Sequence, residues 1–133
     1  MMPAGKYYIG DLAYVMHGEW DEFCDLTIKG NSLSNGEFSL KDGRRFASFT
    51  TKYGDGSYFD EEGRSYSVDA GLIGCILVED IDLSDKSNFL NGGQVVNFDR
   101  DFTTFSSGGV IRIGNVVIFF QFPKSANSFP KLL

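Results

Sequence analysis

The spacing of turn residues restricts this chain more than any other feature, because it leaves runs too short for helices over most of the length. Sixteen of the 133 residues are glycine and three are proline. Glu37-Phe38-Ser39-Leu40 alternates with period two, Asp42-Gly43 is a two-residue turn signal, and Arg45-Phe46-Ala47-Ser48-Phe49 alternates again on the far side. The same grammar returns in Lys52-Tyr53, Gly54-Asp55-Gly56, Ser57-Tyr58-Phe59, the acidic turn Asp60-Glu61-Glu62-Gly63 and Arg64-Ser65-Tyr66-Ser67-Val68. Thirteen Phe and six Tyr favour pleated, half-buried surfaces.

The remaining segments fit this frame. Residues 6–9 read as a strand that stops at Gly10-Asp11, and residues 12–16 as a buried strand or the lead-in to a helix. Between His17 and Ile28, apolar residues at 20, 23, 24 and 27/28 recur at helical spacing; acids at 19, 21 and 22 suit a helix start and Gly30-Asn31 a stop. Residues 72–78 form a near-continuous apolar run, which predicts a central strand covered on both faces. Residues 79–85 carry four acids, and residues 87–93 read as a loop or a single helical turn. Residues 94–98, 110–113 and 116–122 read as closing strands. The fold expected is mainly β: a single antiparallel, strongly bent sheet or small barrel of about eight strands, with one N-terminal helix packed on it. One domain covers residues 1–122, and residues 123–133, with two of the prolines, read as a C-terminal tail.

Charge narrows the function classes. The chain carries 12 basic and 18 acidic side chains, a net of −6, which argues against direct nucleic-acid binding through a broad basic face. The imbalance is local: residues 1–101 hold all 18 acids and 9 bases, whereas residues 102–133 hold three bases and no acid. The apolar C-terminal strands are therefore expected inside the sheet, with the acidic turns of the middle third exposed. The opening MMPAGKYYIG has no apolar run of secretory length, and the longest apolar stretch, at 116–120, is far below a membrane span. The reading is cytoplasmic, with no membrane partner, and with Cys24 and Cys75 as free thiols.

Catalytic and metal constellations are sparse. His17 is the single histidine, and its seven-residue separation from Cys24 is about 10 Å of helical rise, too far for a thiol–imidazole hydrogen bond. A His17–Cys75 pair stays geometrically open, against a reading of an exposed histidine and a packed cysteine. One His and two Cys give no zinc spacing. Residues 55–62 cluster oxygens, but Phe59 stands where a calcium loop needs a ligand. No cofactor and no metal site are therefore predicted. Asp11, Asp69, Asp80 and Asp82 flank apolar strands where burial raises a carboxyl pKa, a signal of low specificity among 18 acids. The glycines match neither the Rossmann nor the P-loop template and read as turn and bulge residues. The number of Tyr and Trp side chains predicts that some stand exposed beside the acidic turns.

Two stretches carry a resemblance: Gly5-Lys6-Tyr7-Tyr8-Ile9-Gly10-Asp11-Leu12-Ala13-Tyr14-Val15, and Tyr53-Gly54-Asp55-Gly56-Ser57-Tyr58 running on to Val68-Asp69-Ala70-Gly71-Leu72-Ile73-Gly74. They cover about a quarter of the chain and resemble a group of short bacterial and phage-encoded proteins with a YIGDxCYV-like opening and a YGDGxY…VDxGxIG centre. Ala13 stands where that group has cysteine. The resemblance implies a small β-rich cytoplasmic protein and brings no catalytic residues. Asp11 and Asp69, at a strand exit and a strand entry, are equally read as corner carboxylates that accept backbone N–H bonds or as functional groups.

The function expected first is a non-enzymatic binding protein, an inhibitor of a protein target with a basic surface, of the phage anti-defence or bacterial immunity type. Its binding residues are Tyr53, Asp55, Tyr58, Asp60, Glu61 and Glu62. The alternative is a small-ligand or nucleotide-binding barrel with a pocket of Tyr8, Asp11, Tyr14 and Asp69. A carboxylate-based enzyme ranks third. Monomer and homodimer both stay open, with residues 116–122 as a central strand or a dimer edge.

Overall fold

The structure is a computed structural model, and it describes residues 1–88 and 92–120. Its strands are β1 (Gly5–Gly10), β2 (Ile28–Lys29), β3 (Ser32–Leu33), β4 (Gly36–Ser39), β5 (Arg45–Thr50), β6 (Gly56–Asp60), β7 (Ser65–Val68), β8 (Leu72–Leu77), β9 (Gln94–Phe98), β10 (Thr104–Ser107), β11 (Val110–Ile113) and β12 (Val116–Phe120). The α-helix α1 (Trp20–Thr27) and the 3-10 turns η1 (Leu12–Tyr14), η2 (Val78–Asp80) and η3 (Leu83–Asn88) accompany them.

The mainly β reading with one helix holds, and every strand pair is antiparallel. In place of one bent sheet of about eight strands, the described residues form two five-stranded sheets and a two-stranded ribbon, with no closed barrel among them. The first sheet runs β4-β5-β8-β1-β9 and the second β10-β11-β12-β6-β7. The chain leaves the first sheet after β5, builds the β6–β7 hairpin of the second, and returns at β8. Such a crossing is non-local, so hairpin grammar alone does not reveal it.

A core of Tyr7, Ile9, Phe49, Ile73 and Cys75 from the first sheet meets Tyr58, Tyr66, Ile111, Ile113 and Ile118 from the second. On the other face of the first sheet, Tyr8, Phe46, Leu72 and Ile76 pack against Leu12, Val15, Met16 and Phe23. The first sheet is thus covered twice, which is why β8 reads as an unbroken apolar run and lies third of five strands. The second sheet has one covered face, and β7 alternates Tyr66 and Val68 inward with Ser65 and Ser67 outward. Gly74 sits where a Cβ would lie 2.0 Å from the Ala47 carbonyl oxygen, so the close approach of β8 to β5 demands glycine there.

Several local expectations change. Of the two readings of residues 12–16 the lead-in to the helix holds, with a 3-10 turn at Leu12–Tyr14; the helix ends at Thr27, and Gly30-Asn31 turns the β2–β3 ribbon. Lys52 and Tyr53 belong to the turn that precedes β6, and Gly56, read as a turn residue, opens that strand. β12 is the middle strand of its sheet, as expected for an apolar C-terminal strand, and is no dimer edge. β10, with Phe105 exposed, was not anticipated. The tail at 123–133 and the end of the single domain at 121–122 lie outside the described residues.

Tyr7, Tyr8, Tyr58 and Tyr66 are wholly buried, so of the tyrosines expected to stand partly exposed beside the acidic turns only some do, Tyr53 among them. Each hydroxyl has an internal hydrogen-bond acceptor: Pro3 O, Asp11 O, Gly54 O and Asp60 Oδ2. Burial therefore brings about 1.5–3 kcal/mol of apolar stabilisation per ring without an orphaned hydroxyl.

Candidate functional site

Asp11 follows β1 and has no exposed surface. Its Oδ1 accepts from Ala13 N at 2.9 Å, capping η1. Its Oδ2 accepts from Asp69 N at 2.7 Å and Ala70 N at 2.6 Å. One carboxylate therefore ties the strand exit at Gly10-Asp11 to the corner at residues 69–71, where the chain crosses back into the first sheet. Gly71 takes φ +77° at that corner, and its carbonyl accepts from Thr51 N. Both oxygens of Asp11 accept from backbone donors, the arrangement of a corner carboxylate.

The corner forms one wall of a cleft of about 510 Å³, lined by Ala13, Tyr14, His17, Trp20, Asp69 and Ala70. Of the pocket residues read from the sequence, Tyr14 and Asp69 line this cleft. Tyr8 and Asp11 lie buried behind it, with the Tyr8 hydroxyl on the Asp11 carbonyl at 3.3 Å. Burial, then the charges of Asp69 and Asp11, raise the Tyr14 pKa, so its phenol stays protonated in a negative field. Trp20 stacks on Phe23 with centroids 4.4 Å apart, which anchors its ring at the start of α1. His17 and Trp20 were not picked out for this site, although their place before the helical run was legible. Their meeting with Asp69 depends on the sheet crossing.

Beyond the cleft lies most of an acidic face. Glu19, Asp21, Glu22, Asp25, Asp42, Glu79, Asp80, Asp82 and Asp85 are nine of the chain's 18 acids. Arg44 ties their three segments together: it pairs with Glu19 Oε2 and Asp42 Oδ2 and donates to the Asp80 carbonyl at 3.0 Å. These contacts raise the Arg44 pKa further and hold the Asp42 carboxyl below its ordinary value, chiefly by the Arg44 hydrogen bond. Burial, followed by Glu79, raises the Asp80 pKa. His17 Nδ1 donates to Asp85 Oδ1 at 2.8 Å, since a carboxylate only accepts.

The six residues of the first binding reading separate into two groups. Tyr58 and Asp60 point inward from β6. Asp60 accepts from Tyr66 Oη at 2.7 Å, Arg64 Nε at 2.7 Å, Glu62 N at 2.9 Å and Arg64 N at 3.0 Å. Burial opposes its ionisation, but these four donors outweigh it and hold the carboxyl below its ordinary value. That acidic turn is thus closed around a buried aspartate, contrary to the expectation of a wholly exposed one. Asp55, Glu61 and Glu62 are exposed, and Tyr53, 47% exposed, packs its ring 4.7 Å from that of Phe120. The alternation of β7 carries the missed signal: Tyr66 faces inward, and its partner in register is Tyr58.

The thiols are free and lie in different layers, Cys75 in the inter-sheet core and Cys24 on α1 against the other core. Burial pushes the Cys75 thiol up to about 12, so it is no nucleophile at neutral pH, and the exposed His17 belongs to the helix layer. A second cleft of about 480 Å³ runs along residues 97–103, but its rings, Phe98 and Phe102, are stacked on each other and edge-on to Tyr7. Among the described residues no helix is long and apolar enough to cross a membrane. No protein-family model, no curated protein and no solved structure matches this chain.

Proposed function

We propose that this protein is a non-enzymatic binding protein that docks a basic protein partner on its helix side. A Lys or Arg side chain of the partner enters the cleft between Tyr14, Trp20 and Asp69. The observation that carries this reading is the coincidence of an open, aromatic-walled cleft with half of all the acids. Aromatic faces attract cations, and a neighbouring carboxylate fixes their position. The exposed turn acids Asp55, Glu61 and Glu62 add long-range steering. A stoichiometric complex of this kind covers the partner's basic surface and thereby inhibits what that surface does. The same acids disfavour a phosphate-bearing ligand, so a nucleotide fits the cleft poorly.

Native mass spectrometry on protein captured gently from its host lysate tests the proposal. A stoichiometric protein adduct is expected, lost in Asp69→Lys and Trp20→Ala and kept in Glu61→Lys. An adduct of small-molecule mass would replace this reading with the small-ligand one. An adduct lost in Glu61→Lys and kept in Asp69→Lys would move the interface to the β6–β7 turn.

A further inference from the structure

Glu19, Asp82 and Asp85 bring three carboxylates together, with one oxygen of each within 4.8 Å of the others. They come from two segments more than 60 positions apart, the start of α1 and the stretch from the η2–η3 link into η3. Acids cluster without binding anything, so the grouping alone decides little. A separate observation does. Glu19 is about nine-tenths buried, its Oε2 is taken by Arg44, and its Oε1 has no hydrogen-bond partner among the described residues. A buried carboxylate oxygen without a donor is costly, and an adjacent cation removes the cost. Asp85 is also buried, and its orientation is held by His17 at 2.8 Å.

We propose that Glu19, Asp82 and Asp85 bind a hard divalent cation of calcium size. All three donors are oxygens, which selects calcium, magnesium or manganese over softer metals. Calcium is the ion expected, because it accepts an irregular set of several protein carboxylates, whereas magnesium demands a near-ideal octahedral shell and is usually held by only one or two. Arg44 neutralises one carboxylate, leaving a local excess of two negative charges for a divalent ion. Asp82 is exposed, so the third ligand is reached from solvent and waters complete the shell. The ion fastens the stretch from the η2–η3 link into η3 to the start of α1. The proposal does not depend on the protein partner, and its probe is the metal alone.

Terbium luminescence and calcium-dependent thermal unfolding of the purified full chain test it. Trp20, the single tryptophan and the neighbour of Glu19 in sequence, sensitises bound terbium. Calcium is expected to displace terbium saturably, with a Kd between about 10⁻⁶ and 10⁻³ M, and to raise Tm by roughly 5–10 °C at a hundredfold excess over Kd. Asp82→Asn, an exposed change, should leave the calcium-free Tm intact and weaken binding by about tenfold or more. Glu61→Gln, on the remote acidic turn, should leave binding unchanged. No saturable response, an equal loss in Asp82→Asn and Glu61→Gln, or magnesium as effective as calcium would each overturn the assignment.

Discussion

Asp11, Asp60 and Glu19 are all buried carboxylates, yet the first two are saturated with donors and the third is not. Asp11 and Asp60 sit at the corners and turns of the sandwich, where backbone N–H groups converge. Glu19 sits in the helix layer, beside a cleft and among like charges. The contrast separates acids that specify the fold from acids left open to something outside it. Burial by itself does not make that distinction; the count of donors does.

The largest expected effect comes from breaking the saturated side. Asp11→Ala removes three charge-assisted hydrogen bonds to part-buried N–H groups at the sheet crossing and should cost about 4 kcal/mol, read as a fall in denaturation midpoint at constant m-value. Asp60→Ala removes four bonds, but Arg64 is one-third exposed and rehydrates, so about 3 kcal/mol is expected. Asp60 also sharpens the comparison through pH. Its folded pKa is lowered, so its stabilisation is present above the unfolded value of about 4 and is lost as pH falls through the folded value. Unfolding at stepped pH should show Asp60→Ala losing less stability on acidification than the native chain.

Asp80, in the helix layer, should behave in the opposite sense. Its folded pKa is raised, so its contribution is present below the unfolded value of about 4 and is lost as pH rises through the folded value. Asp80→Asn should remove that loss, and the variant should be the more stable protein at pH 7 than at pH 4 relative to the native chain. The smallest effect is expected at the exposed turn, where Glu61→Lys should change stability by less than about 0.5 kcal/mol.

Much of the fold was legible because it is local. The Asp42-Gly43 hairpin, the helical spacing of Trp20 and Phe23, and the unbroken apolar run of β8 each express a period or a turn that one segment contains. The two-sheet arrangement was not, since the crossings at residues 51–55 and 69–71 depend on contacts between distant strands. The site shows the same division. The link between Asp11 and residues 69–70 was foreshadowed by a Gly-Asp at a strand exit and an Asp-Ala-Gly at a strand entry, whereas the meeting of Glu19 with Asp82 and Asp85 has no local signature. Next to the exposed Glu61 and Glu62, Asp60 reads as a solvated turn acid; the inward parity it shares with Tyr58 puts it in the core.

The claim that the helix side is the functional face is tested most directly at one atom pair, the indole N–H of Trp20, the single tryptophan. Titration of ¹⁵N-labelled protein with a short peptide rich in Lys and Arg should move that resonance saturably, together with the amides of Asp69 and Ala70, and Asp69→Lys should abolish the movement. If the indole stays still while the amides of Asp55, Glu61 and Glu62 move, the helix-side account is contradicted and the β6–β7 turn is the binding face.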